Sequence, residues 1–109
     1  MDDIHEIFTR FKEEFPEVYK KHEALGKIIH EESGPLAPQT RWLVKIAISA
    51  ACGHQRALQT HIRKALAAGI ALDEIKHALL LLISTAGFPA FMKAYTVLDR
   101  ISRQPASVG

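Results

Sequence analysis

Two histidines and one cysteine in AACGHQRALQTHIRKALAAG, residues 50–69, are the side chains best suited to chemistry. His54 and His61 stand seven residues apart. On a continuous helix that is almost two turns, so both face the same way, about 10 Å apart along the axis. Leu58, Ile62 and Ala65 mark the apolar side of that helix, and His61 lies one turn from both Leu58 and Ala65. Arg56 and Arg63 project to the opposite face. An imidazole on an apolar face has two readings. It is either a hydrogen-bonded core residue or an acid/base group whose proton affinity burial tunes toward neutrality. The second reading requires a ring shielded from bulk water beside a space that a small acid can enter. A shared metal ion is not expected, because the separation exceeds what two Zn–N bonds of about 2.0–2.1 Å can span. No nearby carboxylate supplies a further ligand, and no cofactor is expected either. Cys52, the only thiol, is either a small buried apolar residue or a reactive thiol activated by His54 or a following helix N-terminus.

The elements that must position these residues are helical throughout, with no stretch alternating like a strand. Ile4, Ile7, Phe8, Phe11 and Phe15 recur at helical spacing and predict a first helix that stops at Phe15-Pro16. Pro16 opens a second, expected to bury Val18, His22, Leu25 and Ile29 and to run to about Glu32. After the loop SGPLAP, Pro38 starts a third helix with the stripe Leu43, Ile46, Ala47 and Ala50. Gly53 suits a helix end, and the fourth helix closes at Gly69. A fifth is expected from about Leu72 to Ala86. Its segment ALLLLI is apolar on every side, which calls for a central place or cover from another subunit. Pro89 starts a last helix that turns Phe91, Ala94, Tyr95, Leu98 and Ile101 inward, before a frayed tail RQPASVG. His77 sits one turn from leucines, at a subunit seam or in the cavity of His61, the seam being favoured. His22 and His30 are read as structural or surface residues. The expected fold is an all-α single domain, residues 1–109, of about six helices: N-terminal helices over 1–33 and a core over 34–103.

Composition narrows the function classes. Apolar residues make up 48% and charged ones 24% of the 109 residues, as in globular proteins. No apolar run is long enough to cross a membrane, and the opening MDDIHEIF is acidic, so neither an anchor nor a signal peptide is expected. One cysteine excludes an internal disulfide and fits a cytoplasmic setting. The net charge of +2 is unevenly spread: nine acidic and five basic residues through Gly34, then three acidic and nine basic. That imbalance allows the acidic part to pack on the basic part, within or between subunits, or the basic part to attract a small anion, if the charges are not simply solvated faces. The basic residues are scattered without aromatic interleaving, so no nucleic-acid partner is expected.

From Thr60 to Tyr95, THIRKALAAGIALDEIKHALLLLISTAGFPAFMKAY resembles the carboxymuconolactone decarboxylase family of the alkylhydroperoxidase D-like superfamily. The matching residues are His61, Ala65-Leu66, Gly69, Glu74-Ile75 and Gly87-Phe88-Pro89, and GPLAPQTRWLVKIAISAA upstream is similar to the family's corresponding stretch. The resemblance implies an all-α helical bundle built around a helical hairpin and assembled into trimers or hexamers. It also implies one of two chemistries. The first is thiol-dependent peroxide reduction by a CxxC pair, a histidine four residues on and an upstream glutamate. The second is cofactor-free decarboxylation of a carboxylated lactone.

Anchored on His61 and Gly69, the two cysteine positions of that resemblance fall on His54 and Ala57, and the glutamate position falls on Trp42. Cys52 lies two residues upstream of the expected thiol, and no second thiol exists to resolve a sulfenic acid within one chain. The sequence therefore favours acid/base, lyase-type chemistry on a small anionic organic acid, with His61 central. Loss of CO₂ leaves an enolate-like anion that must be stabilised and protonated at carbon. Arg41 or Lys45 is expected to hold the anion if a neighbouring element comes near, and Trp42 to line a pocket or to pack. The rival readings are a one-Cys thiol oxidoreductase using Cys52, and a homo-oligomeric binding or scaffold protein that has lost the site.

Overall fold

In the computed structural model the backbone is described for residues 3–104 and the side chains for residues 6–104. Ile4 and the tail beyond Gln104 therefore lie outside the described side chains. Six helices follow in order: α1 (Asp3–Glu14), α2 (Pro16–Glu32), α3 (Pro38–Ala51), α4 (Gln55–Ala67), α5 (Leu72–Leu80) and α6 (Phe88–Ser102). Among the described residues there is no strand, so the all-α expectation holds. The chain divides into two compact units, one up to Pro35 and one from Leu36 onward.

The second unit is organised by α3, which packs on α4, α5 and α6. Its core combines Ile46 and Ala50 of α3 with Leu58, Ile62 and Ala65 of α4, and Ile75 and Leu79 of α5. Leu82 and, from α6, Phe91, Ala94, Leu98 and Ile101 complete it. Each helix thus buries the stripe its periodicity marks. Prolines open α2, α3 and α6 in the first turn, where a missing N–H costs nothing.

Two glycines end helices in the same way. At the end of α3 the Gly53 N–H donates to the Ala50 carbonyl (3.1 Å) and the His54 N–H to the Ser49 carbonyl (3.0 Å). At the end of α4 the Gly69 N–H reaches Leu66 and the Ile70 N–H reaches Ala65, both at 3.0 Å. Both are Schellman closures, with the glycines at φ 75° and 94°, a region a Cβ disfavours. The first leaves only Cys52, Gly53 and His54 between α3 and α4, so the two form a tight helical hairpin.

Two expectations fail here. The fifth helix ends at Leu80, not Ala86; beyond it the Leu82, Ile83 and Thr85 N–H groups turn back to carbonyls three residues earlier. The tightened turns drive Leu82 into the core and leave Leu80, Leu81 and Ile83 exposed, so the segment is not buried all round within one chain. Ser84 lies in those turns.

The second failure concerns the N-terminal unit. Its two helices meet through Phe8 and Tyr19, whose rings stand edge-to-face at 5.9 Å, with Lys12 Nζ 5.2 Å from each ring centre. Yet α2 contains no buried residue, and Val18, Leu25, Ile28 and Ile29 are all exposed. Periodicity sorted the side chains of α2 onto one face, but among the described residues that face is not buried.

Candidate functional site

The α3–α4 hairpin brings Trp42 and His61 together, ring centres 6.3 Å apart and planes inclined at 54°. Both are half-buried, and Trp42 packs against the core. His61 owes its place to its neighbours: Leu58, Ile62 and Ala65 are buried, which fixes the rotation of α4 and turns position 61 toward α3. One turn along α3 from Trp42, Lys45 sets its Nζ 5.2 Å from the centre of the indole. Burial, and then the charge of Lys64 on α4, hold the Lys45 ammonium below its ordinary proton affinity. Arg41, half-buried, belongs to the same stretch of α3.

His61 is half-buried. It lines neither of two hollows in this unit, so they do not supply the space beside the ring that an acid/base role calls for. A groove of about 470 Å³ runs between α3 and α5, apolar except for Thr40, Glu74, His77 and Thr85. His77 is therefore placed in this groove and not with His61, beside the exposed leucines of α5. Glu74 is held there by two donors, the Ala71 N–H at 3.2 Å and the Gln39 side-chain amide. A smaller hollow of about 200 Å³ lies where the ends of α3 and α4 meet α6, and is bordered by Cys52, Gln55 and Lys93.

The remaining expected site residues sit at the hairpin tip. Cys52 caps α3 and is exposed, which removes its reading as a buried packing residue. His54 was expected on the inward face of α4 beside His61. It is instead the exposed residue preceding the helix, since the Schellman closure at Gly53 takes its N–H back to Ser49 and α4 begins only at Gln55. Cys52 and His54 thus share the connector, separated along α4 from the Trp42–His61 pair. Among the described residues no cluster of three or more His, Cys, Asp or Glu side chains could hold a metal ion.

Residues 16–100 match the carboxymuconolactone decarboxylase family. The chain belongs to that family. A solved relative with the same architecture is the apo form of a carboxymuconolactone decarboxylase family protein from Legionella pneumophila. It superimposes with a TM-score of 0.79 at 21% identity, over 92% of this chain and 88% of that one. No curated protein matches the sequence. Within this family member, the α3–α4 hairpin is the element carrying Trp42, Lys45 and His61. No helix of the described residues is long and apolar enough to cross a membrane.

Lys64 is a neighbour that the sequence did not single out: exposed on α4, it enters only through its charge, which adds to burial in lowering the proton affinity of Lys45. The available signal was the pairing of Trp42 and Lys45, three apart on α3, with His61 and Lys64, three apart on α4.

Proposed function

We propose that this family member performs general acid/base chemistry on a small organic acid, with His61 as the proton-transferring group. The observation that carries the reading is the half-buried imidazole facing the indole of Trp42, with the Lys45 ammonium beside it. In such a step the C–C bond to the carboxylate breaks, CO₂ leaves, and the electron pair stays on carbon. The imidazolium then gives its proton to that carbon, and the resulting imidazole takes one up from water. Nearby cations stabilise the charge while it is on the substrate. The exposed Leu80, Leu81 and Ile83 support a homo-oligomer, trimer or hexamer, in which the α5 side meets further copies.

The test is a screen of carboxylated lactones and 3-keto acids for CO₂ release by the native protein and by His61→Ala. The substitution should lower turnover about 100-fold or more, the usual worth of a positioned acid/base group, with an unchanged circular dichroism spectrum. Turnover that survives it would sink the proposal. The exposure of Cys52 favours a second reading, one-Cys thiol oxidoreduction. That reading expects dithiol-dependent peroxide consumption which Cys52→Ala abolishes.

A further inference from the structure

We propose that Lys45 and Lys64 form a two-lysine clamp for the carboxylate of a flat, conjugated acid whose apolar body rests against Trp42; as a substrate subsite this rests on the acid/base reading of His61.

The geometry comes from the hairpin. Its two helices are joined by three residues and run back along each other, placing Trp42 opposite His61. Lys45 lies one turn toward the hairpin tip from Trp42, and Lys64 one turn toward the open end from His61. Side chains on a helix lean toward its N-terminus. On antiparallel neighbours these leans are opposed, so both lysines incline toward the Trp42–His61 pair from opposite ends. The position of Lys45 Nζ over the indole is this lean realised.

The electrostatics leave the clamp in want of an anion. Among the described residues no ion pair joins Lys45 or Lys64 to a carboxylate. From Pro35 onward the chain has three acidic residues, and all three lie elsewhere. Glu74 and Asp73 are on α5, where Glu74 is held by Ala71 and Gln39, and Asp99 on α6 is paired with Arg103 at 3.1 Å. Burial first, and then the charge of Lys64, lower the proton affinity of Lys45, so the second ammonium stands near enough to repel the first. An incoming carboxylate relieves that repulsion and accepts charge-assisted hydrogen bonds from both sides. The ligand class follows from the wall between the lysines. An indole favours a planar π-system by stacking over a saturated or fully hydrated anion.

Trp42 is the only tryptophan of the chain, so its fluorescence reports directly on this site. Benzoate, acetate, inorganic phosphate and benzyl alcohol are titrated in turn against the full chain at low ionic strength, with excitation at 295 nm. Benzoate should quench the emission saturably, with acetate and phosphate at least about tenfold weaker and benzyl alcohol without saturable effect. Lys45→Gln and Lys64→Gln should each weaken benzoate about tenfold, as loss of one charge-assisted hydrogen bond implies. Arg100→Gln, exposed on α6, should leave it unchanged. Benzoate affinity that is the same in the native protein and both glutamine variants overturns the clamp, as does benzyl alcohol binding as well as benzoate. Phosphate binding as tightly as benzoate overturns the assignment to flat acids. His61→Ala separates this inference from the reading it rests on. If lysine-dependent benzoate binding stands while CO₂ release survives that substitution, the clamp is upheld and the proton role of His61 is lost.

Discussion

The two units of this protein are built from similar material and end differently. Both contain amphipathic helices with apolar residues at three- and four-residue spacing. In the second unit the stripe of α4 is sealed, Ile62 being 0% exposed; in the first, Ile29 of α2 is 60% exposed. Periodicity decides which side chains share a face, and only a partner decides whether the face leaves water. The helices from α3 onward partner one another through α3. Those before it have a shared aromatic contact, Phe8 on Tyr19, and no buried core residue in α2.

This contrast can be broken most directly by truncating the same residue type in each unit. Ile62→Ala should cost about 2–5 kcal/mol, the loss of a fully buried branched side chain plus its cavity, read as a lower urea midpoint at constant slope. A cost below about 1 kcal/mol would mean that the α3–α6 core is looser than its burial indicates.

A smaller effect is expected at the hairpin seam, and its sign depends on pH. Lys45 is held below its ordinary value of 10.5 by burial and then by Lys64. Below the lowered value both folded and unfolded chains hold the proton, and the cost of the buried charge is present in full. Between the lowered value and 10.5 the unfolded chain binds more protons, so stability rises with pH relative to a variant without the amine. Thermal melts of native protein and Lys45→Met from pH 7 to 10 should therefore show the native protein gaining on the variant by about a degree or two as pH rises, a small shift because the side chain is half-solvated. A gain in the opposite direction would mean that the ammonium is stabilised where it sits.

The smallest effect is expected in the first unit. Ile29→Ser should change stability by no more than about 0.5 kcal/mol, as at other exposed positions. A loss above about 1 kcal/mol that grows with protein concentration would sharpen the comparison instead, by showing that a second copy covers α2.

What could be read from the chain divides along the same line. The buried faces of α4 and α6, the proline starts and the glycine stops are local properties, and residues such as Leu58, Ala94 and Gly69 stand where their spacing and chemistry put them. His54 was misplaced because projecting it onto α4 assumes that the helix already exists there, whereas the backbone at Gly53 spends its hydrogen bonds on ending α3. The end of α5 was missed for a related reason. A run apolar on all sides has no phase, so Leu80 and Leu81 carried no sign of where helix gives way to turns. At the candidate site His61 could be placed from α4 alone. Its pairing with Trp42 is a tertiary fact, at which the matched three-residue spacings of the two helices only hinted.

The reversal at Gly53 also acts as an origin from which register is counted. Trp42 stands eleven residues before it and His61 eight after it. A single residue deleted inside either arm would swing one ring by about 100° around its helix axis and part the pair. The bend after Gly69 carries no such count between those rings, so changes of length in this lineage should be tolerated at that second bend and purged from the arms of the first.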